Sequence, residues 1–106
     1  MTSGAFLKGK WRIVEMPTWP ADHLNLLGPA YIAFDGKGRG EIAFGALQAT
    51  LDCATTPGGV DFDWYGFDEM DEVRGEGWVE LQDDRSLIGE FAYDNGDESD
   101  LRAVPW

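Results

Sequence analysis

The sequence predicts an all-β protein, an eight-stranded antiparallel up-and-down barrel with one short helix between strands 1 and 2. Apolar and polar residues alternate along most of the chain, and turn residues interrupt this alternation about every eight to twelve positions. Consecutive hairpins with short turns form a meander, which closes most simply as a barrel. Because 106 residues suffice for one domain, we assign residues 1–106 to a single barrel.

Eight segments carry the strand pattern. The predicted strands are residues 10–16, 30–34, 40–45, 46–54, 60–65, 73–81, 86–93 and 99–104. Asp35-Gly36 between strands 2 and 3 indicates a hairpin, because tight hairpin turns need residues with positive φ. Residues 67–72 are predicted to form an acidic loop between strands 5 and 6.

The segment between strands 1 and 2 breaks the alternation. Thr18 is a typical helix-capping residue, and Leu24 and Leu27 would share one helix face. Gly28-Pro29 is a typical stop signal. We therefore expect a helix of two to three turns.

Large rings dominate the side chains predicted to point into the barrel. An eight-stranded barrel is either filled by its side chains or wide enough for one small ligand. The candidate ligand-contacting rings are Trp11, Phe34, Phe44, Phe62, Trp64, Phe91 and Tyr93. Strands 6 and 7 contribute Gly75, Gly77 and Gly89 to the same interior. Either the rings lean across and fill the space above these glycines, or a pocket remains on the glycine side.

Gly9-Lys10-Trp11 resembles the G-x-W that opens the first strand of lipocalin-like (calycin-type) barrels. The resemblance implies a small, mostly apolar ligand inside the barrel. It also implies that an arginine near the last strand lies against the tryptophan, and Arg102 is placed to form this pair with Trp11. Residues 62–78 are similar to a stretch found in small uncharacterised bacterial proteins, and that similarity implies no function.

The charge is concentrated in the second half of the chain. The sequence has 20 acidic and 8 basic residues, and residues 61–100 hold 15 acidic and 2 basic ones. This balance excludes nucleic-acid binding, which needs clustered Lys and Arg, and it disfavours an anionic membrane surface. It suggests a second hypothesis, an acidic interaction module that binds a basic partner protein. In one form of this hypothesis the module imitates nucleic acid and thereby blocks a DNA-binding protein.

The most acidic stretch has partial metal-loop spacing. Counted from Asp61, carboxylates and a glycine fall on several positions of an EF-hand loop, but Tyr65 is a poor ligand and the segment is predicted to be a strand. The weak candidates for a divalent-ion site are Asp68, Glu69, Asp71 and Glu72. We expect a solvated acidic loop, and neither a metal nor another cofactor.

Nucleophilic catalysis lacks its usual pairs of residues. His23 is the only histidine and Cys53 the only cysteine, and no spacing pairs either with a partner. We therefore expect a non-enzymatic protein in which Cys53 is a buried packing thiol. The absence of a signal-peptide pattern and of a second cysteine favours a cytoplasmic location.

Five tryptophans are many for this length. We expect Trp19 to seal one end of the barrel and Trp106 to pack against the outside of strand 1. The alternative is that Trp78 and Trp106 lie on one exposed flank and form a homodimer interface. The sequence leaves both monomer and homodimer open.

Overall fold

A computed structural model of the chain, which describes residues 7–106, shows the predicted all-β up-and-down barrel. Each strand pairs antiparallel with its neighbour in sequence, and the last strand closes the barrel on the first. The strands are β1 (Gly9–Glu15), β2 (Tyr31–Phe34), β3 (Arg39–Phe44), β4 (Leu47–Thr55), β5 (Gly59–Asp68), β6 (Asp71–Leu81), β7 (Leu87–Tyr93) and β8 (Glu98–Pro105). No helix in residues 7–106 has the length and apolar character needed to cross a membrane.

The predicted hairpin between β2 and β3 is confirmed. The Asp35 carboxylate accepts hydrogen bonds from the backbone N–H groups of Lys37 (2.6 Å) and Arg39 (3.1 Å). These two bonds lower the pKa of Asp35, since they favour the charged carboxylate. Gly36 and Gly38 have φ values of 78° and 97°, which residues other than glycine adopt only with strain. Local turn chemistry therefore sets the register of β2 and β3.

The core consists of the alternate residues of each strand that point inward. Trp64 and Phe91 stack with ring centroids 4.6 Å apart, and Tyr93 meets Trp64 edge-on at 5.0 Å. Phe44 adds another edge-on contact to Phe91 at 5.3 Å. Trp64 is 1% and Phe91 0% exposed. The centre of the barrel is thus occupied by rings in contact with one another.

The rings of β5 cover two glycines of β6. Gly75 lies opposite Trp64 and Gly77 opposite Phe62 in the β5–β6 ladder. A Cβ on Gly75 would lie 2.9 Å from Cζ2 of Trp64, and one on Gly77 would lie 2.7 Å from Cζ of Phe62. The Trp64 indole N–H extends past Gly75 and donates to the carbonyl of Ala92 on β7 (3.1 Å). At these two positions the rings fill the space above the glycines.

The acidic loop predicted over residues 67–72 is wrong. β5 continues to Asp68 and β6 begins at Asp71, so that only Glu69 and Met70 form the turn. Glu69 adopts the positive φ of 61° that a two-residue hairpin turn requires. The charged side chains do not prevent pairing, because they project away from the ladder into solvent.

The short helix between β1 and β2 is confirmed, but it is shorter than the predicted two to three turns. The helix α1 spans Ala21–Leu24, a single turn. Leu24 is buried, whereas Leu27 is 76% exposed. A helix gains most of its stability from packing an apolar face, so the turn ends once Leu24 has been buried.

We expect the substitution Gly75→Ala to lower the free energy of unfolding by about 1–3 kcal/mol, because its Cβ collides with Trp64 and with the Ala92 carbonyl. Urea unfolding followed by tryptophan fluorescence measures this change. Gly58→Ala is the matched control, since no atom lies within 4 Å of its added Cβ. Equal losses in the two variants would show that the barrel does not depend on the absence of a side chain beneath Trp64 and the Ala92 carbonyl.

Candidate functional site

The seven candidate rings of the interior divide into two groups. Trp11 and Phe34 lie near the end of the barrel that carries the β2–β3 turn, where Phe34 is the last residue of β2. Mutual ring contacts join the other five, which are Phe44, Phe62, Trp64, Phe91 and Tyr93. The structure therefore brings five of the seven predicted rings into one cluster, and the other two lie outside it.

Trp19 covers the ring cluster at the mouth of the barrel, as predicted. Its ring centroid lies 5.3 Å from that of Phe44 and 6.0 Å from that of Tyr93. Next to it, the Thr18 hydroxyl donates to the carbonyl of Glu98 (2.6 Å) and the Thr18 N–H donates to the Ser99 hydroxyl (3.2 Å). These bonds fasten the segment between β1 and β2 to β8.

A polar contact borders this mouth. The Tyr93 hydroxyl donates to the carboxylate of Asp68 at 3.0 Å. Burial, and then the negative charge of Asp68, raise the pKa of Tyr93 well above its usual range. The tyrosine therefore remains protonated and acts as a hydrogen-bond donor, so it supplies no general base at neutral pH.

The predicted Trp11–Arg102 pair is wrong. The Trp11 side chain points inward, where its indole N–H donates to the carbonyl of Leu7 (3.0 Å). Arg102 lies between the buried Leu101 and Ala103 and therefore points to the outside of the wall, where its guanidinium is 4.0 Å from the Asp84 carboxylate. Strict alternation along β8 places an arginine at this position outside the barrel.

Cations do pack on a tryptophan nearby, but on the outer face. The Lys10 ammonium lies 4.1 Å and the Arg12 guanidinium 4.4 Å from the ring centroid of Trp106. The Trp106 N–H also donates to the carbonyl of Lys10 (3.2 Å). Packing of Trp106 against the outside of the first strand is thus confirmed. Trp78 lies on β6, three strands away from β1, and it lines a different groove from the one that Trp106 borders.

The four weak candidates for a divalent-ion site are not gathered around one point. Asp68 and Asp71 lie opposite each other at the end of the β5–β6 ladder, and Glu69 is in the turn. Within residues 7–106, no three His, Cys, Asp or Glu side chains are grouped so that they could hold a metal ion. The EF-hand spacing also fails, since Asp61 and Asp63 lie on a strand and point outward.

A group of carboxylates on the outer face forms the most distinctive surface of the barrel. The register places Asp63 of β5 between Asp52 of β4 and Glu76 of β6. In the next row, Trp78 of β6 lies between Asp61 and Glu90, and its indole N–H donates to Glu90 (3.1 Å). The acidic wall, as we name it, consists of Asp52, Asp61, Asp63, Glu76 and Glu90 around Trp78.

The acidic wall borders a shallow groove of about 430 Å³. Its described lining contains all five carboxylates of the wall and no Lys or Arg. Arg39 of β3 lies opposite Asp52 and marks the edge of the wall. The sequence showed that these acids point outward, but only the strand register shows which of them are neighbours. The Pro57-Gly58 turn, which fixes the β4–β5 register, was the signal that could have revealed it.

His23 and Cys53 lie in different parts of the barrel. His23 is exposed on α1, and its imidazole lies beside Gly45, whose N–H donates to the Leu24 carbonyl (2.8 Å). Cys53 is half-buried and packs against the core. Burial, together with the charges of Asp35 and Asp52, raises the pKa of the Cys53 thiol to about 11, and a protonated thiol is a poor nucleophile.

Comparison with protein-family models, with curated proteins and with solved structures finds no match to this chain.

We expect iodoacetamide to alkylate Cys53 of the folded protein roughly 200-fold more slowly than that of the urea-unfolded chain near pH 8, since an unfolded thiol has a pKa of about 8.5. The pKa of about 11 leaves little thiolate in the folded state. Mass spectrometry over time measures both rates, and glutathione in the same buffers corrects for urea. Similar rates in the two states would contradict a protected thiol.

Proposed function

We propose that the protein is a non-enzymatic interaction module whose acidic wall binds a basic partner protein. The observation that carries this proposal is the position of Asp63 directly between Asp52 and Glu76 on three adjacent strands. Like charges opposite each other in a sheet are destabilising. A cationic group placed between these carboxylates would relieve their mutual repulsion, so the free energy of binding to a basic partner is most favourable there.

The partner that fits this surface is a segment rich in arginine and lysine. Its charge would be attracted by the field of the wall, which accelerates association and weakens with salt. Trp78 offers an aromatic ring among the carboxylates, and a guanidinium stacks on such a ring while pairing with carboxylates at its edges. Arginine therefore suits the wall better than lysine.

The wider setting of this proposal follows from the same surface. The partner could be a DNA-binding protein, in which case the carboxylates would imitate phosphates of nucleic acid and compete with it. A cytoplasmic location belongs to the proposal, because the free thiol of Cys53 would remain reduced there.

A second candidate function is the binding of a small apolar ligand inside the barrel. The lipocalin-like opening at Gly9-Lys10-Trp11 and the cluster of rings under Trp19 support it. Against it, Trp64 and Phe91 fill the centre in direct contact, so a ligand would have to displace rings. The outer wall needs no such rearrangement, and it is therefore the preferred site.

We expect the double variant Asp63→Asn/Glu76→Gln to bind an oligoarginine peptide about 10-fold more weakly than the wild type, because two central charges of the wall are lost. Isothermal titration at low and at physiological salt measures the affinity. The control Asp22→Asn/Asp83→Asn removes the same number of charges from exposed positions that do not line the groove. We expect its affinity to fall by less than about threefold.

Equal losses in the two double variants would mean that net charge alone attracts the peptide, and the wall would then be rejected as the binding site. Circular dichroism confirms that each variant is folded. Pull-downs with the immobilised wild-type protein at low and high salt then search for the natural partner. The D63N/E76Q variant serves as the bait that should lose it.

The interior is tested by a lipophilic dye and by a designed cavity. We expect the wild type to show no saturable binding of the dye. We expect Phe91→Ala to bind benzene, because removal of the central ring leaves an apolar void. The same substitution should lower the free energy of unfolding by about 3–5 kcal/mol. Saturable dye binding by the wild type, read by tryptophan fluorescence, would instead favour the second candidate function.

A further inference from the structure

A further groove, of about 400 Å³, lies beside the acidic wall on the outer face of β6, β7 and β8. Trp78 and Glu90 line both this groove and the groove of the wall. The hydrogen bond from the Trp78 indole N–H to Glu90 (3.1 Å) therefore lies at the boundary between the two. We name the further groove the side groove. A segment that crosses Trp78 passes from the wall directly into the side groove.

The side groove is less acidic than the wall. Its charged side chains are Glu15, Glu90, Asp100 and Arg102. Arg102 lies opposite Glu15 in the β1–β8 ladder, and its guanidinium is 4.0 Å from the Asp84 carboxylate. The wall, by contrast, has five carboxylates and no Lys or Arg in its described lining. A cation is thus attracted more strongly to the wall than to the side groove.

Apolar side chains form the rest of the side groove. Trp78, Ile88 and Pro17 line it, and Ile88 is 43% exposed. Ile88 lies between Glu80 and Arg102 in the ladder, so both of its direct neighbours on the outer face are charged. A partner that covers this aliphatic side chain removes apolar surface from water, which contributes to affinity.

The spacing between Trp78 and Ile88 matches that of alternate residues in an extended chain. Trp78 lies opposite Glu90, and Ile88 precedes Glu90 by two residues on β7. Such diagonal neighbours in an antiparallel ladder lie about 7–8 Å apart. Residues i and i+2 of an extended peptide point to the same side and lie about 7 Å apart. In a segment that runs from the wall to the side groove, an arginine on Trp78 therefore places the side chain two positions further over Ile88.

We propose that the side groove selects, among basic partners of the acidic wall, an extended segment in which an apolar residue lies two positions from an arginine. The arginine stacks on Trp78 and pairs with the carboxylates of the wall, and the apolar side chain packs on Ile88. This inference rests on the proposed function of the wall, to which it adds the chemical class of the partner. Charge alone would attract any basic segment, whereas the side groove discriminates between segments of equal charge.

Two synthetic peptides of equal charge test the proposal. One is an oligoarginine with a leucine two positions beyond each end, and the other has serine in place of each leucine. We expect the wild type to bind the leucine peptide about 10-fold more tightly, because one leucine is buried against Ile88. Isothermal titration at physiological salt measures both affinities.

Ile88→Ser should reduce this preference to less than about twofold and leave the affinity for the serine peptide unchanged. Leu26→Ser is the matched control, since Leu26 is also an exposed aliphatic residue but follows α1 and lines neither groove. It should keep the full preference. A wild type that binds both peptides equally would overturn the proposal, and so would a preference that survives in I88S or is lost in L26S.

The D63N/E76Q variant separates this proposal from that of the wall. It should bind both peptides about 10-fold more weakly than the wild type and keep the leucine preference, because Ile88 is intact. If it binds them as tightly as the charge control D22N/D83N, the wall is rejected and this inference with it. If it weakens both peptides while the wild type shows no leucine preference, the wall stands and only the side groove is rejected.

Discussion

The contact of Trp64 and Phe62 with the bare backbone of Gly75 and Gly77 is the interaction on which this barrel depends. An eight-stranded barrel has room for little more than its own side chains. Large rings on one strand therefore fit only where the neighbouring strand has glycine. The Trp64 indole passes over Gly75 to reach the carbonyl of Ala92, and this bond ties three strands together. Phe91 then stacks on Trp64 and completes the centre. Rings and glycines on adjacent strands therefore act as one packing unit.

Because rings fill the interior of the barrel, recognition of a partner depends on the outer surface. Closure pairs every strand on both sides, and the side chains that point away from the core must then meet solvent or a partner. The register that places Trp64 over Gly75 also places Asp63 between Asp52 and Glu76, because neighbouring residues of one strand point to opposite faces. The core packing and the acidic wall are thus two consequences of one register. A slip of one residue would destroy both together.

Much of this arrangement could be predicted from the sequence, and the failures have physical causes. Alternation and turn residues sufficed for eight strands and for the inward rings, because burial of one face enforces a period of two. Alternation could not show that β5 continues through acidic residues to Asp68 or that β6 begins as early as Asp71. Charged side chains are tolerated on a strand wherever they reach water, so their presence does not mark its end. The resemblance to lipocalin-like barrels implies a Trp11–Arg102 pair, whereas alternation along β8 places Arg102 on the outer face. The neighbours within the wall depend on pairing between strands, which no single strand encodes.

Repulsion within the acidic wall links its stability to its proposed role. Asp63 faces a carboxylate on each side, and like charges directly opposite reduce the stability of a sheet by a few tenths of a kcal/mol to about 1 kcal/mol per pair. A cationic segment on the wall removes this repulsion and adds its own attraction, so the free energy lost in the free protein is regained on binding. Salt removes the same repulsion without a partner, and it also screens the attraction. The free protein should therefore become more stable as salt rises, while its affinity for a basic partner falls.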